Sequence, residues 1–244
     1  MTETIIYEYP LTEKIRGYLR IEHLSEQLLS YKTIDNPVLF RPFFSLLFTL
    51  SEQFDRGELK KELIRDLECN KLLLTKWKGN ANIEQEQLNK LLNQINSFTF
   101  SQAQSNKVHS IISQDPLLNQ VKNKLSLSGG GSPFDTPLLH HWNHLPLEKR
   151  LEDMDNWLSP FTQTIEAIKL LLQLIRETST YSEHLAVEGF YQDSCEKLQL
   201  LRIKTIKDTN FYPVISGYKN RYSVRFQSPN EQPVPDINFL LSCC

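Results

Sequence analysis

Tyr212-Pro213-Val214-Ile215-Ser216-Gly217-Tyr218-Lys219-Asn220-Arg221-Tyr222-Ser223-Val224-Arg225-Phe226 is the stretch on which the fold of the C-terminal part turns. From Arg221 onward the pattern alternates strictly. Tyr222, Val224 and Phe226 fall on one face of a strand, and Arg221, Ser223, Arg225 and Gln227 on the other. The run before it, 212–218, is rich in aromatic and β-branched residues and reads as a second strand. Lys219-Asn220 lies between them, and Asn is one of the few residues besides Gly that accept positive φ in a tight turn. The local expectation is an antiparallel hairpin with one apolar and one basic face. No acidic residue occurs between Asp208 and Glu231, so Lys219, Arg221 and Arg225 have no neutralising neighbour in sequence. Such a face is either the solvated side of a half-buried sheet, which is the commoner case, or a place to bind something acidic.

Period two extends outward from the hairpin. Leu185 and Val187 alternate, as do Leu198 and Leu200, and then Ile237, Phe239 and Leu241. Before about Thr180 the period is helical, apart from a short strand at Ile5–Tyr9. This order predicts an α+β protein. A mostly helical N-terminal domain spans residues 10–180, and a C-terminal antiparallel β-sheet domain spans 181–244, with strand 4–9 joining its sheet.

Within the helical region, Ile15, Tyr18, Leu19, Leu24, Leu28 and Leu29 mark a first helix, and Arg16, Arg20, His23 and Gln27 run down its other side. A strongly apolar second helix carries Phe43, Phe44, Leu46, Leu47, Leu50 and Phe54 and ends at Asp55-Arg56-Gly57. A third holds Leu59, Leu63, Leu67, Leu74 and Trp77 and stops at Gly79, a natural C-cap residue. Asn82 with Gln85 caps the next, which carries Leu88, Leu91, Leu92 and Ile95, and the Ser/Gln/Asn-rich residues 97–106 read as a loop. Asp115-Pro116 and Thr136-Pro137 each open a helix. After Pro146, one helix around Leu151–Leu158 and another over Phe161–Ile175 complete the set.

With 244 residues, 40% hydrophobic and 23% charged, the chain has ample material for a core. A net charge of −2 excludes a bulk nucleic-acid binder, so any basic patch is local. Cys69, Cys195, Cys243 and Cys244 show no spacing of a disulfide framework or zinc knuckle. The N-terminus carries no signal-peptide pattern, and the longest apolar stretch, Val38–Leu50, is broken by Arg41 and Pro42 and is too short to span a bilayer. The expectation is a cytoplasmic protein that engages neither membrane nor nucleic acid.

Catalytic signals are weak. His140 and His144 lie one helical turn apart, but Trp142 and Asn143 stand where a zincin helix needs other residues, and no third ligand is near in sequence. Gly129-Gly130-Gly131 lacks the Gly-Lys-Ser/Thr of a phosphate loop. No enzyme activity, catalytic residue, metal or cofactor is expected. Two other readings stay open at this level: nucleic-acid binding through the Arg/Tyr hairpin, and a metal-dependent hydrolase at His140 and His144.

Pro10-Leu11-Thr12-Glu13-Lys14, Leu19-Arg20-Ile21-Glu22, Phe54-Asp55-Arg56-Gly57-Glu58, Phe134-Asp135-Thr136-Pro137-Leu138-Leu139-His140 with Trp142, and Gly189-Phe190-Tyr191-Gln192-Asp193 follow one another along the chain. They are followed by Tyr212-Pro213, Ile215 to Arg221, Arg225-Phe226 and the Cys243-Cys244 terminus. In that order and spacing the sequence resembles, over nearly its full length, the ZapD family of cell-division proteins, which associate with the tubulin-like GTPase FtsZ. The resemblance implies a helical domain, a β domain and a homodimer that binds the C-terminal tail of FtsZ and bundles protofilaments at the mid-cell division ring. It also implies tail-binding roles for Arg20, Arg56, His140, Lys219, Arg221 and Arg225. The sequence departs from the family at Ser113-Gln114-Asp115-Pro116, where relatives carry arginine, and at Pro133, where a serine is expected. Physical reading and resemblance agree on one expectation: an acidic tail lies across a basic groove between helices and sheet, its carboxylates held by arginine forks.

Overall fold

The structure, a computed structural model, describes residues 3–32, 40–54, 58–80, 83–104, 112, 114–125, 127, 132–177, 179–194, 196, 198–207, 210–218 and 220–244. It is α+β. Strand β1 (Thr4–Pro10) precedes helices α1 (Glu13–Tyr31), α2 (Phe40–Phe54), α3 (Glu58–Thr75), α4 (Gln85–Gln104), α5 (Pro116–Leu125), α6 (Pro137–Asn143) and α7 (Leu147–Glu177). Strands β2 (Ser182–Ala186), β3 (Phe190–Ser194), β4 (Leu200–Ile206), β5 (Tyr212–Tyr218), β6 (Arg221–Gln227) and β7 (Ile237–Cys243) follow. The chain divides into two compact units, Arg20–Leu171 and Met1–Leu19 with Leu172–Cys244, the division falling within α1 and α7.

The helical unit is built around aromatic side chains of α2. Phe43, Phe44 and Leu47 are fully buried, and Phe44 meets Trp142 and Trp157 at ring-centroid distances of 5.6 and 5.5 Å. Each tryptophan needs a partner for its indole N–H once buried. Trp142 donates to Asp153 at 2.9 Å and Trp157 to Asp115 at 2.8 Å. Asp115 also accepts from the Leu118 N–H, so one carboxylate caps α5 and fixes a core tryptophan on α7.

Two helix expectations need correction. Residues 97–104 continue α4 rather than forming a loop. The Ser97 and Thr99 hydroxyls bond back to the Gln94 and Ile95 carbonyls, so their polarity is satisfied within the helix. The two expected helices after Pro146 are one, α7, which runs through Pro160. Pro160 removes the N–H that would reach Asn156, and the neighbouring Ser159 hydroxyl donates to that same carbonyl at 3.0 Å.

The other unit is a two-layer β-sandwich. One sheet has the order β1-β4-β7-β2 and the other β3-β6-β5, all antiparallel. The hairpin forms as the alternation predicts, with Tyr218 opposite Arg221, and β1 joins the first sheet beside β4. Tyr222, Val224 and Phe226 point inward with Leu201, Ile203, Phe239 and Leu241. Phe239 meets Tyr191 and Phe226 with 5.4 Å between ring centroids in both pairs. Burial, reinforced by a hydrogen bond with Cys243 at 3.6 Å, holds the Tyr222 phenol far above the usual tyrosine range. Burial and then its bond to Asp193 push Tyr191 up to about 12. Both hydroxyls are therefore neutral structural groups at physiological pH. Leu185 and Val187 turn outward and only Ala186 between them is buried, so that alternation marks the outer face of β2.

Candidate functional site

Arg221 and Arg225 both stand on the exposed face of β6, the central strand of the three-stranded sheet. Four residues of strand place them about 13 Å apart. Arg225 lies opposite Phe190 on β3 and Val214 on β5, and its guanidinium sits 5.4 Å from the Phe190 ring centroid. Ser223, between Gln192 and Ser216, forms the next row, and Arg221 follows between Ser194 and Tyr218. Neither arginine makes an ion pair with another described residue. Phe190, Tyr212 and Val214 are exposed on this same face around Arg225, so that cation is set among apolar side chains, whereas Arg221 stands in the row of Ser194 and Tyr218.

A cleft of about 560 Å³ opens at the Arg225 end of the face. Phe190, Tyr212 and Arg225 wall it from the strands, and Pro229 and Val234 from the connection between β6 and β7. Gly189 lets that connection close in. It has φ +73, and a Cβ there would lie 2.5 Å from Val234 Cγ1 and 2.9 Å from Val234 Cβ. Gly189→Ala is therefore expected to cost about 2–4 kcal/mol, from left-handed strain and overpacking together. Urea denaturation measures it, and a loss below about 0.5 kcal/mol would show that the connection gives way freely.

The remaining predicted site residues fall as follows. Arg20 is exposed on α1 and His140 is exposed on α6, both in the helical unit. Arg56 and Lys219 lie outside the described residues, as do Asn82 and the glycines at 129–131. His140 and His144 do come together, with ring centroids 4.6 Å apart, and His144 Nδ1 donates to the His140 carbonyl oxygen at 2.7 Å. Among the described residues no three His, Cys, Asp or Glu side chains are grouped to hold a metal ion, and no helix is long and apolar enough to cross a membrane.

Two features of the β unit escape a reading of local pattern. One is the cleft, which exists only because residues 228–234 fold back over Gly189. The other is Glu8, which receives both Arg176 and Arg202 from distant segments.

A family model described as ZapD, cell division protein, matches residues 19–225. The cell division protein ZapD of Vibrio atlanticus (strain LGP32) is 34% identical over 240 residues, covering 98% of each chain. That of Yersinia enterocolitica serotype O:8 is 33% identical over 247 residues, covering 100% of this chain and 99% of its own. That of Aliivibrio fischeri is 35% identical over 240 residues, with 98% and 97% covered. End-to-end similarity of this extent, with the family model spanning most of α1 through β6, leaves one assignment: the chain belongs to the ZapD family of cell division proteins.

Proposed function

We propose that this protein binds the C-terminal tail of FtsZ and crosslinks FtsZ protofilaments at the division ring, as a homodimer and without catalysis, metal or nucleotide. The tail-binding residues in this reading are Arg20, Arg56, His140, Lys219, Arg221 and Arg225. One observation carries most weight: Arg221 and Arg225 project from one face of the central strand with no ion-pair partner among the described residues, and exposed Phe190, Tyr212 and Val214 surround Arg225. A guanidinium fork accepts a carboxylate with two parallel hydrogen bonds, and the neighbouring apolar side chains cover what lies between the acids.

Each such pairing is partly exposed and worth about 0.5–1 kcal/mol, and a flexible tail loses freedom when it is ordered. A single site is therefore weak. A filament presents tails in an array and a homodimer offers two sites, so avidity supplies what one site does not. Localisation to mid-cell follows from the same interaction.

The test is co-sedimentation with assembled FtsZ. The protein should pellet with filaments that carry the tail and stay in the supernatant with filaments that lack it. Equal pelleting with both would overturn tail recognition.

The homodimer needs surface other than that of α2. An apolar stretch such as 38–54 is a natural candidate for a dimer surface, but Phe40, Phe43, Phe44, Leu47, Phe48 and Leu50 are buried within the protomer. Exposed apolar side chains instead include Leu72 and Leu73 on α3 and Trp77 beyond it, at 67%, 56% and 50% exposure. Light scattering at micromolar concentration should give twice the 28.5 kDa chain mass. A monomer at that concentration would leave a crosslinker without its second site.

A further inference from the structure

We propose that the cleft beside Arg225 reads a peptide segment in which an acidic and a basic residue flank an apolar side chain, so that a purely acidic ligand is the poorer one. The inference rests on the tail-binding reading and adds to it a requirement for a cation. At about 560 Å³ the cleft has room for several side chains. Its lining is not uniformly basic. Arg225 lines it together with two acidic residues, Glu188 and Glu231, with Phe190 and Val234, and with Tyr212. No ion pair joins Arg225 to either glutamate, so the cation and the carboxylates remain available to a ligand.

The backbone at both glutamates is unusual. Glu188 has φ 47 and Glu231 has φ 54, and among the described residues they are the only non-glycines at positive φ. Glu188 and Gly189, with φ 47 and 73, form the tight turn between β2 and β3, where the first position favours Asn, Asp or Gly. Two glutamates thus occupy strained positions that other residues fill more easily, and both line one cleft. An acidic ligand reaching Arg225 meets repulsion from both. A lysine or arginine close to its acidic residue removes that repulsion and pairs with them, while an apolar side chain between the two covers Phe190 and Tyr212.

The experiment titrates three model peptides of equal length into the full chain at low salt. The first has an aspartate and a lysine flanking a leucine, the second has the lysine replaced by glutamine, and the third has the aspartate replaced by asparagine. Wild type should bind the first about three- to tenfold more tightly than the second. The Glu188→Gln, Glu231→Gln double variant should bring that ratio to about one, whereas Arg225→Gln should abolish the aspartate preference and keep the lysine preference. Glu188→Asn should raise Tm, because it relieves the turn, while weakening the lysine preference. A lysine preference that persists in the double variant, or no binding of the first peptide to wild type, overturns the inference. The FtsZ tail titrated in parallel separates the two readings. Tail binding that ignores Glu188 and Glu231 removes the cleft specificity alone. An unbound tail with the model-peptide preference intact removes the tail reading alone.

Discussion

Arg221→Glu combined with Arg225→Glu should cut affinity for the FtsZ tail by about 30-fold or more, roughly 2 kcal/mol, in a protein that folds normally. The size follows from adding two effects. Two partly exposed charge pairs disappear, at about 0.5–1 kcal/mol each, and each new carboxylate then repels the acid that the arginine attracted, by a similar amount. The fold should survive because the altered side chains and the buried ones point to opposite faces of β6. Tyr222, Val224 and Phe226 keep their inward packing, and the two altered positions are exposed. Within the protein the change takes the Arg225 guanidinium off the Phe190 ring, and an exposed cation–ring pair is worth about 0.5–1 kcal/mol. Raising salt should weaken the wild-type complex and narrow the gap between the two proteins, since ion pairs at an exposed surface lose strength as ionic strength rises. Tail-peptide titration reads the affinity, and circular dichroism with light scattering controls for fold and mass. Unchanged affinity in a well-folded double variant would remove this face from the binding site.

What made that face readable from sequence was the strict period of two from Arg221 to Gln227, which admits only a strand, joined by two turn-competent residues to another aromatic and β-branched run. The same logic does not say which layer a strand faces. Alternation sorts side chains into two faces without naming the partner, so the split into two sheets became visible only through Phe239 meeting Tyr191 and Phe226 across the sandwich. For Leu185 and Val187 the apolar set lies on the solvent side, against the usual sense of the pattern. In the helical unit, composition misled where side chains repair the backbone. Ser97 and Thr99 bond inside α4, and Ser159 bonds the carbonyl that Pro160 leaves without its N–H. The cation half of the site was therefore legible. Glu188 and Glu231 were not, because Glu188 reaches the cleft through the β2–β3 turn and Glu231 through the connection between β6 and β7, neither of which an alternating pattern describes.

Glu8→Gln is the change of a charged side chain for which we expect the largest loss of stability. Glu8 on β1 holds two arginines that are remote in sequence. Its Oε1 accepts from Arg176 Nε at 2.8 Å and Arg202 Nε at 2.9 Å, and its Oε2 accepts from Arg176 Nη2 at 2.7 Å. Arg202 also donates to the Arg176 carbonyl at 3.2 Å and lies over the Tyr181 ring at 5.4 Å. One carboxylate thereby fastens β1, the end of α7 and β4 within the β unit. Glutamine keeps the volume and one acceptor but takes the negative charge out of a cluster that then carries two facing cations. Breaking a fully buried pair costs about 3–5 kcal/mol, because the remaining charge stays desolvated. The side chains of Glu8, Arg176 and Arg202 retain 18%, 23% and 15% exposure, so water recovers part of that cost. A loss of about 2–3 kcal/mol is expected, which for a domain of this size lowers Tm by roughly 4–12 °C. The probe matters: Trp77, Trp142 and Trp157 all belong to the helical unit, so tryptophan fluorescence does not report on β1. Tyrosine signals and the β component of circular dichroism do. Adding Arg202→Gln to Glu8→Gln should cost much less than the two single changes summed, because it removes one of the two cations that the first change leaves facing each other. Strict additivity, or an unshifted transition in Glu8→Gln alone, would mean that solvent already carries the charge of this cluster and that β1 is held by its strand pairing with β4.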